Sequence, residues 1–162
     1  MNNPRPVLYA EDDENDVFLL QRAFKKLNIP NPLQTVADGR LAIAYLSGAP
    51  PYEKREEYPL PVLLLLDLSM PGKHGLYVLK WMKAEASVAA LPVVIFTSSN
   101  QGTDIDRAQA LGAEGYIIKP GDPGELLEIV RNLQTYWLGD TRPQGTFAEF
   151  MSTRSPVKRG FC

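Results

Sequence analysis

A parallel α/β sheet is the fold class that this sequence predicts, and three observations carry the prediction. Five short apolar runs of strand length alternate with stretches of helical period, the signature of repeated strand–helix–strand units. The run Val62-Leu-Leu-Leu-Leu66 has no polar alternation, as expected for a central strand buried on both faces. At 162 residues, with 44% hydrophobic and 22% charged side chains, the chain has the size and composition of one globular domain with a substantial core.

The elements follow in order. The first strand is expected at Val7–Ala10. It leads into a helix whose apolar stripe is Val17, Leu20, Phe24 and Leu27, spaced three, four and three residues apart. Leu33–Val36 is the second strand, and its alternation of apolar and polar residues suits a sheet edge. Shorter helices are expected near Arg40–Leu46, Leu76–Ala84 and Thr103–Leu111, the last closed by Gly112 as a C-cap. The central strand Val62–Leu66 and the strands Val93–Phe96 and Tyr116–Ile118 complete the five. The final helix has a strong start: Asp122 can cap it, Pro123 suits the first helical position, and Glu125 stands where a capping-box carboxylate belongs. Its stripe is Leu126, Ile129 or Val130, Leu133 and Trp137. Two segments break the rhythm. Ser47–Pro61, with Pro50, Pro51, Pro59, Pro61 and the charged run Glu53–Glu57, reads as a long solvated loop. Gly139–Cys162 reads as a polar extension of the domain formed by residues 1–138, too short for a second domain.

Charge and composition exclude several classes. A formal charge of -2 gives no reason to expect nucleic acid as the main partner. A lone cysteine, Cys162, cannot form an internal disulfide, and a lone histidine, His74, cannot build a His/Cys zinc site. Met1–Pro6 is not followed by an apolar signal-peptide core, and no run approaches the length of a membrane span, so a cytoplasmic protein is expected. The motifs of phosphate-cradling nucleotide and dinucleotide loops are absent. A phosphatase with an Asp-x-Asp pair would need an acid where Ser69 stands, and a flavin phosphate would meet three acidic residues after strand one.

In an open parallel sheet, ligands bind outside the carboxyl ends of the strands. Strand one runs into Glu11-Asp12-Asp13, strand three into Asp67, strand four into Thr97-Ser98 and strand five into Lys119-Pro120. Carboxylates crowded at one mouth repel unless a cation sits between them. A hard divalent ion, most naturally Mg²⁺, fits oxygen donors and keeps positions open for a phosphate oxygen. Asp67, at the end of the central strand, is then the best acceptor of a phosphoryl group, with Lys119 and the Thr97 hydroxyl near the transferring oxygens. Asp13 is expected to face solvent at the start of the first helix, and His74 to be plain surface.

The order Glu11-Asp12, Asp67-Leu68-Ser69-Met70-Pro71-Gly72 with Gly75, Thr97-Ser98, Tyr116 and Lys119-Pro120 resembles the receiver domain of bacterial two-component response regulators over residues 7–138. The resemblance implies a flavodoxin-like, doubly wound sheet of strand order 2-1-3-4-5 with five helices. It implies that Asp67 is the phosphorylated residue, Asp12 a direct Mg²⁺ ligand, Glu11 its acidic neighbour acting through water, and the Ser69 backbone carbonyl a further ligand. Thr97 would be the switch hydroxyl, Tyr116 the switch aromatic and Lys119 the phosphoryl-holding lysine, with a cis bond to Pro120. Gly121-Asp122-Pro123-Gly124 departs from the aromatic or other large residue that often follows the Lys-Pro pair. The long Ser47–Pro61 loop and Tyr136-Trp137 look more like the single-domain regulators paired with phytochrome-type histidine kinases.

Two functions follow from this reading. One is a phosphorelay module that takes its phosphoryl group from a histidine kinase and signals through a changed protein-interaction surface. The other is a receiver-fold scaffold that works without phosphate; the intact set of acids, Thr and Lys favours the first. Phe147, Phe150, Met151 and Phe161 have no evident core to join within one copy, so the extension is expected either to help make a homodimer or to be disordered.

Overall fold

The computed structural model describes residues 4–72 and 74–154. Its five strands, β1 (Val7–Ala10), β2 (Leu33–Val36), β3 (Leu63–Leu66), β4 (Val93–Thr97) and β5 (Gly115–Ile118), are all parallel, in the order β2-β1-β3-β4-β5. The expected sheet is therefore found, with boundaries shifted by a residue at β3, β4 and β5. Side chains alternate across it. Leu8, Ala10, Leu64, Leu66, Val93, Ile95 and Tyr116 face one core. Val7, Tyr9, Leu63, Leu65, Val94, Phe96 and Ile117 face the other. The unbroken leucines of β3 are fully buried because both cores need them, whereas edge strand β2 is mostly half-buried.

Helices α2 (Gly39–Ser47), α3 (Gly75–Ala84) and α4 (Gly102–Ala110) cover the first core, and α1 (Glu14–Lys26) and α5 (Pro123–Leu133) pair over the second. Asp122 caps α5 as read, through the amide of Gly124 at 3.1 Å, and Asp13, expected only to face solvent, caps α1 through the amides of Asn15 and Asp16. Gly112 follows the end of α4 with φ of +94°, the left-handed conformation that glycine permits. His74 does more than occupy surface: its Nδ1 accepts from the Leu76 amide at 3.1 Å and caps α3. Among the described residues, no helix is long and apolar enough to cross a membrane.

Three expectations need correction. The chain has a sixth helix, α6 (Phe147–Ser152), and α5 runs on into a π-helical turn, Gln134–Leu138. Phe147, Phe150 and Met151 are buried against Tyr136 and Trp137 in the second core. The argument that tail aromatics lack a core within one copy therefore fails for these three; Phe161 lies outside the described residues. Sequence reading missed this because their partners sit on β5 and the end of α5, and the pattern of a six-residue helix is too short to register.

The Ser47–Pro61 segment is likewise no bare solvated loop. Arg55 donates to the carbonyls of Tyr45, Leu46 and Tyr58 at 2.6, 2.8 and 3.0 Å, satisfying the last carbonyls of α2, and Tyr45, Tyr52 and Tyr58 pack edge-to-face or tilted with centroids 5.0–6.0 Å apart. Arg55→Ala is expected to destabilise the protein by about 2 kcal/mol, because charge-assisted bonds to half-buried carbonyls are lost together. Urea unfolding measures this; Arg55→Lys, which cannot fork across these carbonyls, should recover less than half.

Candidate functional site

The ladder of the sheet carries on past the strand ends and aligns the residues that follow them. The amide of Glu11 donates to Val36 at 2.9 Å, that of Asp67 to Ala10 at 3.1 Å and that of Lys119 to Thr97 at 2.8 Å. Four strand termini thus open at one level, bringing Glu11, Asp12, Asp67, Thr97 and Lys119 to one mouth. The loop after β3 folds tightly against this level. A Cβ on Gly75 would lie 2.3 Å from the Asp67 carbonyl oxygen and 2.8 Å from Leu68 Cα, so only glycine lets α3 begin there.

Carboxylate oxygens of Glu11, Asp12 and Asp67 all lie within 4.8 Å of one another. Glu11 and Asp67 are buried, while Asp12 is exposed at the rim. Lys119 Nζ reaches three carboxylates: Glu11 Oε2 at 2.5 Å, Asp16 Oδ2 at 2.8 Å and Asp67 Oδ2 at 3.3 Å. Burial works against the Lys119 charge, but hydrogen bonds to Asp16 and Glu11 and the charge of Asp67 overcome it and hold the proton more firmly than in free lysine. The acids divide their roles. Burial, then the hydrogen bond shared with Asp67, pushes the Glu11 carboxyl up to about 7 against the pull of Lys119. Burial would raise Asp67 too, but hydrogen bonds with Glu11 and Thr97, the Lys119 charge and the Ser69 amide outweigh it, and its carboxyl is held below the usual range. Proton affinity is thus raised at Glu11 and lowered at Asp67, so the negative charge of the pair rests on Asp67.

Asp16 is the member that sequence reading missed. It lies in the first turn of α1, which directs it toward Lys119, and no local pattern in the sequence marks it. Asp13 is exposed, as expected, and in addition caps the helix. The hard-oxygen donor set of Glu11, Asp12 and Asp67 suits a divalent cation such as Mg²⁺.

Thr97 is buried, its Oγ1 3.5 Å from the Ser99 amide. Tyr116 points inward, and its hydroxyl donates to the Ser99 carbonyl at 2.9 Å. The Ser99 hydroxyl donates to Asp104 Oδ2 at 2.7 Å, so the loop between β4 and α4 is pinned where Tyr116 meets it. Ser69 is exposed, its amide 3.4 Å from Asp67 Oδ1. The expected cis bond at Lys119–Pro120 is not found: among the described residues the cis bond is Pro50–Pro51. Trans is the lower-energy form of an X–Pro bond, and Lys119 reaches its three carboxylates in it.

Residues 7–131 match the model of the response regulator receiver domain. The chain is 32% identical over 143 residues to the probable methanogenesis regulatory protein FilR2 of Methanothrix harundinacea, spanning 88% of this chain and 90% of that protein. It is also 32% identical over 137 residues to response regulator Rcp1 of Synechocystis, spanning 85% of this chain and 91% of Rcp1. Among solved structures, the phosphorylated cyanobacterial phytochrome response regulator RcpA superposes with a TM-score of 0.79 at 30% identity, covering 88% of this chain and 99% of RcpA. The Mn²⁺-bound form of Rcp1 gives 0.76 at 32% identity, covering 86% and 99%. With the sheet order, the acidic mouth and the family model all in agreement, this chain belongs to the receiver-domain response regulators of two-component signalling.

Proposed function

We propose that Asp67 accepts a phosphoryl group from a histidine kinase, in a transfer that requires Mg²⁺. The single observation that carries this reading is the charged Asp67 carboxylate at the end of the central strand, in reach of Lys119 and within the acidic cluster. An Asp67 carboxylate oxygen attacks phosphorus as the bond to the kinase imidazole nitrogen breaks. The electron pair of that bond leaves with the imidazole, which takes up a proton, and the product is an aspartyl phosphate. Asp12 and Asp67 would hold the cation directly, with the Ser69 backbone carbonyl, and Glu11 through water. When bound, Mg²⁺ offsets charge on the transferring phosphoryl oxygens.

Lys119 supplies the protein's own cation for those oxygens and must turn part of its hydrogen bonding from the carboxylates toward them. The Thr97 hydroxyl, buried beside Asp67, donates to the same group. Moving Thr97 alters the loop whose Ser99 carbonyl holds Tyr116, and so the partner-facing surface of α4, β5 and α5 changes. RcpA, a cyanobacterial phytochrome response regulator, supports a phytochrome-type kinase as the donor.

Incubation with acetyl phosphate and Mg²⁺, followed by intact mass measurement, tests the reading. A phosphoryl adduct is expected, and EDTA should prevent it. No adduct in Mg²⁺ would overturn the proposal and leave a receiver-fold interaction protein that works without phosphate.

A further inference from the structure

We propose that a small cavity beside Lys119 binds one water molecule, and that Tyr9 acts through this water as a positioning residue for the lysine. The inference rests on the phosphoryl-acceptor reading above.

Tyr9 lies on β1, two residues before Glu11, and its side chain is fully buried in the second core. Burial, followed by the negative charges of Glu11, Asp16 and Asp67, keeps the proton on its hydroxyl. Glu11 also draws that proton toward its carboxylate, yet among the described residues no acceptor meets it at normal hydrogen-bond distance and angle. A buried phenol normally finds a partner. Beside it lies a partly open cavity of about 30 Å³, lined by Tyr9, Asp16 and Lys119 and by the apolar Leu20, Phe96 and Leu126. One water needs only about 10 to 15 Å³ of such space and two to four polar partners. Size and lining both fit a single water that accepts from Tyr9 and donates to Asp16.

Counting donors gives this water a role. An ammonium has three N–H groups, and Lys119 spends them on three carboxylates, those of Glu11, Asp16 and Asp67. Turning toward phosphoryl oxygens on Asp67 must release at least one of these. Asp16, which shares the cavity with Tyr9, is the one that the water can serve. The Tyr9 hydroxyl, relayed by the water, then replaces the ammonium as hydrogen-bond donor to Asp16. Lys119 is freed for the phosphoryl group, while Asp16, whose side chain is 30% exposed, keeps a hydrogen-bond donor on its cavity side as well as solvent on its outer side.

The test measures adduct formation from acetyl phosphate and Mg²⁺ for the whole chain, Tyr9→Phe, Asp16→Asn and the double variant. Tyr9→Phe keeps the ring that fills the core. It should slow the maximal rate about fivefold, the worth of roughly one neutral hydrogen bond, with the half-saturating acetyl phosphate concentration unchanged. In the Asp16→Asn background the charge that needs the donor is gone, so Tyr9→Phe should add nothing. A wild-type rate in Tyr9→Phe, or full additivity in the double variant, would overturn the proposal. A wild-type chain that forms no adduct would instead sink the acceptor reading, and the positioning role with it. Should Tyr9→Phe fail to fold, a high-resolution crystal structure of the wild type decides: a water bridging Tyr9 Oη and Asp16 supports the role, and a dry cavity ends it.

Discussion

Asp67→Asn is expected to abolish the phosphoryl adduct completely, whatever the phosphodonor. The amide oxygen is too weak a nucleophile to form a stable acyl phosphate, and no neighbouring acid can stand in. Glu11 lies in the same cluster, but its oxygens are committed to the Asp13 amide at 2.9 Å and to Lys119 at 2.5 Å. Asp12 sits exposed at the rim, whereas Asp67 is buried with a hydrogen bond from Thr97. Stability should move in the opposite direction to function. Asparagine keeps an acceptor for the Ser69 amide and removes one of three crowded negative charges. The melting temperature in EDTA should therefore match or exceed that of the wild type, as is common where a site holds like charges for function. Added Mg²⁺ should raise it less than in the wild type, because binding energy contributes to stability only where the ion binds. An undiminished adduct on the variant would show that another residue accepts the phosphoryl group.

Phe147→Ala should cost about 3 to 5 kcal/mol, the usual loss for removing a buried aromatic ring. At this chain length that corresponds to a fall in Tm of roughly 10 °C. Phe147 is 2% exposed, and its ring lies 5.2 Å from that of Tyr136 and 5.6 Å from that of Trp137. It seats directly on the first residue of β5: a Cβ on Gly115 would come within 2.6 Å of Phe147 Cδ2. Gly115→Ala should accordingly destabilise by about 1 to 3 kcal/mol through overpacking, and that cost should largely vanish in the Phe147→Ala background, where the space is free. Thermal unfolding of the four proteins gives the cycle. An unchanged Tm in Phe147→Ala would mean that α6 contributes nothing to the core.

How far the site could be read from sequence depends on how locally each residue is specified. Glu11, Asp67 and Lys119 directly follow an apolar run, Thr97 ends one and Asp12 stands one residue beyond Glu11, so finding the strands already located them. Asp16 was missed because its role depends on the turn of α1 that aims it at Lys119, and nothing in its neighbours marks that. The Tyr9 hydroxyl was missed for a related reason: an apolar strand residue reads as core, and the sequence cannot show that its polar end meets a cavity. Arg55 read as one charge in a solvated run, although its guanidinium closes the end of α2, because its partners are backbone carbonyls that carry no sequence signal.

The sequence by itself determined the strand–helix alternation, the burial of β3 on both faces and the chemistry gathered at the strand ends. These rest on periodicity and on residue type, which are properties of short stretches of chain. Only the tertiary structure decided that Lys119 is shared among three acids, that Tyr9 meets a cavity behind it, and that α6 folds back onto Gly115 and Tyr136. Each of those depends on groups far apart in the chain, and their distances are set by how the helices pack on the sheet.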